Sequence, residues 1–196
     1  MSSAIATSEA KISSGLAQLI EEVRAAVRSG SNAAETGEAV AKLLQPHLSA
    51  RDFLTDEQMT PDACAYCRHH LHVEPDGSFS IVALVWLPGQ ETKIHDHVSW
   101  CVVGVYRGEE DETTYQLGGN ETDRHLLVTG HAVNEVGSVC ALVPPGDIHR
   151  VKNSGQDTAV SLHVYGADVQ ARGSSILRCY DHEVRSRPTS ATTQLA

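Results

Sequence analysis

A chain of 196 residues is long enough for one domain with a real apolar core and no need of disulfide staples. Its 41% hydrophobic and 20% charged residues are those of a folded protein, and its formal charge of −10 argues against a role in gripping nucleic acid or an anionic membrane. The longest apolar run, Ile81–Leu87, is too short to span a bilayer, Met1–Lys11 does not read as a secretory signal, and five cysteines, an odd number, are expected as reduced thiols in a cytoplasmic protein.

Ile12, Leu16, Leu19, Val23 and Val27 step by three and four, the apolar stripe of an amphipathic helix. Ser29–Asn32 interrupts it. Asn32 with Glu35 three residues later predicts a second helix start, and Val40, Leu43 and Leu44 carry a second stripe as far as Pro46. Residues 1–50 are therefore expected to be a helical extension packed on the outside of a larger body. The pattern changes near Tyr66. Short Val-, Ile-, Leu- and aromatic-rich segments then alternate with Gly, Pro, Asn and Asp, predicting strands at Tyr66–Val73, Ser78–Leu87, Lys93–Tyr106, Glu112–Gln116, Arg124–Val128, Ser138–Val143, Ala159–Tyr165 and Ile176–Tyr180. Such a series predicts a mainly β sandwich or barrel over residues 51–184. The acidic run Glu109–Glu112 is expected to be a solvated hairpin or loop, and the polar residues 185–196 a mobile tail.

The chain has eleven histidines, and their spacing carries the chemistry. Alternate residues of a strand share a face, so His95 and His97 can reach one ion together. Ser161, His163 and Tyr165 also alternate. If their face points into a barrel, the three side chains form a hydrogen-bonded row that places the Tyr165 hydroxyl beside the metal. His70 and His72 are expected on the face of Arg68, where one of them lines the pocket. His125, His131 and His182 fall in expected loops or ends and have no role assigned. Cys64-x-x-Cys67 lacks the surroundings that would give it a redox or zinc meaning.

The stretch Gly89-x5-His95-x-His97-x3-Cys101-x6-Gly108 resembles the first motif of the cupin superfamily, and Gly137 through Pro144-Pro145-Gly146 to His149 and Asn153, with one extra residue after Gly137, resembles the second. The resemblance implies a cupin, a double-stranded β-helix or jelly-roll barrel, with a metal in its mouth. Cys101 stands where most cupins place a Glu ligand, which leaves three imidazoles, His95, His97 and His149. Imidazole suits Fe, Zn, Cu and Ni alike. His95-x-His97, His149 and Ser161-x-His163-x-Tyr165 together look like the thiol dioxygenases, the family of cysteine dioxygenase and 3-mercaptopropionate dioxygenase. That resemblance implies Fe(II) on the three histidines, with a small thiol and O2 as reactants and a sulfinic acid as product. It also implies that Tyr165 is the active-site tyrosine, supported by His163 and Ser161. Cys101 stands near the position of a Cys that joins the tyrosine in animal members, which leaves a Cys101–Tyr165 thioether open. Arg68 falls where an Arg holds the substrate carboxylate, with Arg172 as a rival anchor; a guanidinium fork suits a carboxylate. Cysteine is the favoured thiol. 3-Mercaptopropionate, mercaptosuccinate or a bulkier thiol remains open, as do a metal-dependent isomerase or hydrolase using Zn or Mn and a non-enzymatic thiol-binding cupin.

Overall fold

The computed structural model describes residues 12–186. Ser13 caps α1 (Ser14–Arg28) by accepting from the Leu16 N–H. Asn32 and Glu35 close the expected reciprocal cap on α2 (Ala33–Leu44), and Pro46 sits in the 3-10 turn Gln45–Ser49 that follows. Leu16, Leu19, Ile20 and Val23 of α1, with Val40 and Leu44 of α2, are buried together, as the two stripes require.

The strands are β1 (Cys67–Val73), β2 (Ser80–Trp86), β3 (Ile94–His97), β4 (Cys101–Arg107), β5 (Glu109–Gly118), β6 (His125–Glu135), β7 (Val139–Leu142), β8 (His149–Lys152), β9 (Ala159–Tyr165), β10 (Ile176–Tyr180) and β11 (Val184–Arg185), with the short helix α3 (Val169–Arg172) after β9. One sheet has the order β1-β2-β9-β4-β7 and the other β10-β3-β8-β5-β6-β11. From β2 to β5, and again from β7 to β10, consecutive strands alternate between the sheets. This winding is the double-stranded β-helix of a cupin barrel. All recorded pairings are antiparallel except the short β6–β11 ladder.

The five-stranded sheet is covered on both faces, and alternation sorts its residues. Ile81, Ala83 and Val85 of β2, with Val160, Leu162 and Val164 of β9, pack under the helices. Val82, Leu84 and Trp86, with Tyr165 of β9 and Cys101 of β4, turn into the barrel. Gly104 of β4 lets the helical layer approach: a Cβ there would stand 2.9 Å from methyls of Leu44 and Leu48. A two-bond ion pair ties α1 to the β1–β2 hairpin, with Arg24 Nε and Nη2 donating to the Glu74 carboxylate at 2.7 and 3.0 Å. That pairing holds the Glu74 carboxyl down at about 2.

Four expectations are corrected. Lys93–Tyr106 is two strands, β3 and β4, because the chain crosses between sheets at Val98–Trp100; Gly166 makes room for Trp100, whose Nε1 would lie 2.2 Å from a Cβ there. The acidic run Glu109–Glu112 opens β5 and is not a solvated loop: Glu110 is 1% and Glu112 9% exposed. His131 lies inside β6, drawn into a long hairpin with β5, where it pairs with Asp111, whereas His125 is the first residue of that strand, an end as expected. Arg185, expected at the head of a tail, belongs to β11; residues 187–196 of that tail and Met1–Lys11 lie outside the described residues. Among the described residues no helix is long and apolar enough to cross a membrane.

Candidate metal centre

Alternation along β3 puts His95 and His97 on one face, and pairing with β8 sets His149 opposite His95. The three rings are buried, with centroids 4.7–5.0 Å apart, and one ligand atom from each lies within 4.8 Å of the others. Each Nδ1 is engaged elsewhere. That of His95 donates to the Lys93 carbonyl at 2.9 Å, that of His97 to Asp147 Oδ2 at 2.9 Å, and that of His149 to Glu112 Oε1 at 2.6 Å. These bonds fix the tautomers and leave the three Nε2 lone pairs for a common centre.

The electrostatics agree. Burial, with His149 and His97 adding, holds His95 down at about 3, and burial also holds His97 below its ordinary range. Burial thus favours the neutral form of the His95 and His97 rings. Burial alone would raise the carboxyls of Glu112 and Asp147, but their bonds from His149 and His97 more than reverse it, and both sit below the usual carboxylate range. His149 Nε2 is buried without a hydrogen-bond partner among the described residues. A native fold rarely leaves such an atom unmet. Three imidazoles backed by two carboxylates fit a divalent cation.

The predicted row is present. β9 turns Ser161, His163 and Tyr165 into the barrel, all buried. Trp86 Nε1 donates to Ser161 Oγ at 3.3 Å, Ser161 Oγ lies 2.9 Å from His163 Nε2, and His163 Nδ1 lies 3.1 Å from the Tyr165 hydroxyl. Cys101 is paired with Tyr165 across β4 and β9, with its Sγ 3.8 Å from His163 Nδ1. Burial pushes the Tyr165 hydroxyl and the Cys101 thiol well above their usual ranges, and pushes His163 well below its own. All three are therefore neutral.

A family profile described as Cysteine dioxygenase type I matches residues 1–171. The chain belongs to that family. Cysteine dioxygenase type 1 of Danio rerio is 29% identical over 100 residues, 50% of this chain and 50% of that one. Cysteine dioxygenase type 1 of Homo sapiens is 30% identical over 93 residues, 46% of each chain. The chain thus spans about half the length of the curated relatives it matches. A solved structure, an uncharacterized conserved protein with double-stranded beta-helix domain from Klebsiella pneumoniae subsp. pneumoniae MGH 78578, aligns at 24% identity with a TM-score of 0.44, covering 61% of this chain and 87% of that one.

In this member of the cysteine dioxygenase type I family, the histidine cluster and Tyr165 open onto one narrow cleft of about 30 Å³. Arg68 is on its wall, with its NH1 group donating to the Gly173 carbonyl at 3.2 Å. Arg172 does not line this cleft, so of the two anchors considered Arg68 is the one at the site. Tyr66 stacks on Trp86 at 4.4 Å, and Ser174–Ile176 complete the rim. His70 and His72 do not line it. A bulge at Leu71 reverses the alternation, so that His72 pairs across from Ile81, packs on Phe79 and bonds Glu74. All five cysteines are free. Sequence reasoning missed Glu112 and Asp147. Asp147 lies two residues before His149 and Glu112 inside the acidic run, and neither carries a local sign that a histidine would claim it.

Proposed function

We propose that the chain is a non-haem Fe(II) thiol dioxygenase converting a small thiol and O2 to the sulfinic acid, RSH + O2 → RSO2H, with cysteine as the favoured substrate. One juxtaposition supports this: three buried imidazoles converge beside Tyr165, the end of a buried hydrogen-bonded row, on the wall of one cleft. His95, His97 and His149 would hold the iron through Nε2. Iron supplies a centre that lowers the thiol pKa and holds thiolate and dioxygen close together.

The remaining work falls to side chains. Arg68 offers two parallel donors to a substrate carboxylate. Tyr165 keeps its proton, since burial holds its hydroxyl far above neutral pH, and offers it as a hydrogen bond to the reacting oxygen or sulfur. His163 and Ser161 orient that hydroxyl, and Cys101 packs against it. The Tyr66–Trp86 stack excludes water from the inner wall. The same reading places the enzyme in the reducing cytoplasm, where its thiols stay free.

A second reading has its own support. No Asp or Glu is among the cleft-lining residues, so a substrate ammonium has no carboxylate partner there, which suits 3-mercaptopropionate. Oxygen uptake by the Fe(II)-loaded protein against a panel of thiols, with products read by mass, decides between them. A gain of two oxygens on cysteine supports the first reading, and the same gain on 3-mercaptopropionate alone supports the second. No uptake with any thiol, despite bound iron, rejects both.

A further inference from the structure

His149 Nε2 is not the only buried atom left unmet along the ligand strand. Asp96 stands between His95 and His97 on β3, and alternation turns it to the opposite face, away from the cleft. There it forms part of the wall of a second pocket, of about 440 Å³, which shares no lining residue with the cleft. Tyr115, Leu117 and Ile148 give that pocket an apolar wall, and Tyr180 and Arg178 flank the carboxyl. Asp96 is 7% exposed. Its Oδ2 accepts from the Tyr180 hydroxyl at 2.8 Å, whereas its Oδ1 is buried without a hydrogen-bond partner among the described residues. A native fold rarely leaves such an atom unmet. Arg178 lies directly across the β10–β3 ladder, with its Nε 3.3 Å from Oδ2. That is long for a charge-assisted bond, and the Arg178 side chain is 64% exposed. The pocket therefore holds one carboxyl and one guanidinium, loosely paired, beside an apolar wall.

We propose that this outer pocket binds the zwitterion of a small apolar α-amino acid. The orphan oxygen calls for an N–H donor, and an α-ammonium brings three on one atom. A ligand carboxylate in turn gives the Arg178 guanidinium the two-bond fork that Asp96, approached by Nε, does not. Binding exchanges one loose ion pair for two: the guanidinium moves onto the ligand carboxylate, and the ammonium takes its place on Asp96. Tyr180 keeps its bond to Oδ2 throughout. The spacing suits this class of ligand. In an α-amino acid the two charged groups share one carbon, and Asp96 and Arg178 are direct neighbours across a ladder, so a single small molecule meets both. Its side chain then lies against Tyr115, Leu117 and Ile148, where burial of apolar area is favourable. An amine without a carboxylate leaves Arg178 unmet, and a carboxylate without an amine leaves Oδ1 as it stands. The cleft has no Asp or Glu among its lining residues, so the carboxyl that an ammonium needs is found in this pocket instead. The inference rests on this pocket's own residues and is independent of the thiol dioxygenase reading.

The test is amide NMR of the Zn(II)-loaded protein titrated with L-leucine, with L-phenylalanine as a second probe. Shifts should saturate at about millimolar amino acid. They should cluster at Gln116, Gly146, Ile148 and Arg178 around the outer pocket, with Tyr66, Ser174 and Ser175 of the cleft unmoved. Arg178→Ala should weaken binding about tenfold or more, the loss of a charge-assisted pair, and Asp96→Asn should act in the same direction. Arg178 is mostly exposed, so its variant decides the matter alone if Asp96→Asn does not fold. Isoamylamine and isocaproate each carry one half of the leucine zwitterion, and each should bind about tenfold or more weaker than leucine. The proposal is overturned by an absence of shifts up to about 10 mM of either amino acid, by shifts confined to the cleft, or by an unchanged affinity in Arg178→Ala. Equal binding of leucine and either half-ligand also overturns it, because the pocket would then not read both charges.

Discussion

Glu112→Gln tests whether metal affinity is built into the carboxylates behind the imidazoles. His149 Nδ1 donates to Glu112 Oε1 at 2.6 Å, and Asn134 Nδ2 donates to the other oxygen at 3.3 Å. Gln has the same shape. Its carbonyl still accepts from His149, and Asn134 has only to turn its amide over to meet the new N–H group. What is lost is the charge. A hydrogen bond to a charged group contributes about 1.5–3 kcal/mol against about 0.5–1.5 for a neutral one, so the local loss is about 1–1.5 kcal/mol. That is roughly tenfold in affinity. The carboxylate's direct attraction for a dication is lost as well, which carries the expectation to about ten- to a hundredfold weaker binding. Asp147→Asn should act in the same direction, since Asp147 Oδ2 accepts both the ring and the backbone N–H of His97, at 2.9 and 3.0 Å. The assay is anaerobic competition for Fe(II) with a coloured chelator, with thermal unfolding to confirm the fold. If Glu112→Gln holds Fe(II) within about twofold of the parent, the compensating role assigned to this carboxylate is wrong.

Other perturbations separate the remaining roles. Tyr165→Phe should keep one metal per chain while turnover falls by about a hundredfold or more, the usual worth of a positioned proton donor; full activity would remove Tyr165 from the reaction. Arg68→Ala should raise KM about ten- to a hundredfold for thiols bearing a carboxylate, from charge-assisted bonds of about 1.5–3 kcal/mol, and leave cysteamine unaffected in steady-state assays. Arg24→Ala probes the hairpin ion pair by pH. The folded carboxyl of Glu74, at about 2, lies below its unfolded value, so the stabilisation is full above the ordinary carboxylate range and disappears as pH falls through the folded value. Denaturant midpoints of variant and parent should therefore differ at neutral pH and converge in acid; an equal gap at both ends would contradict the pairing. Gly104→Val should cost about 1–3 kcal/mol in chemical unfolding by driving the helical layer off β4, with metal stoichiometry kept.

The parts of the fold legible in the sequence are those whose cause is local. Leu16, Leu19 and Val23 show a helical period because one helix face meets one layer. The Asn32–Glu35 cap lies within a single turn. β9 could be read to its ends because its two faces differ so sharply, apolar under the helices and polar toward the histidine cluster. β8 could not. His149-Arg-Val-Lys152 is short and mostly polar, and it is a strand because β3 and β5 offer it hydrogen bonds from both sides. The break at Val98–Trp100 is equally non-local: the chain leaves one sheet for the other, and the apolar residues after it continue without a visible pause.

The site divides along the same line. Ligand histidines declare themselves by alternation, whereas the carboxylates behind them depend on which face a neighbouring strand presents. An acidic run reads as solvated because burying an unpaired carboxylate is costly. In β5 that argument reverses at Glu112. Glu112 faces His149, and the positive charge which the cluster is built to hold removes the objection to burying an acid beside it. Strand parity is fragile evidence on its own, as the bulge at Leu71 shows by turning His72 away from the cleft. It becomes strong when the ladder fixes it: β5 pairs with β8 at Thr114–His149 and Glu112–Val151, so the reach from Glu112 to the His149 ring follows from register. Three imidazoles that would hold a dication call for countercharge inside the same barrel. Once the histidines are recognised, the inward-facing acids beside them, Glu112 on β5 and Asp147 just before β8, are where that charge is found.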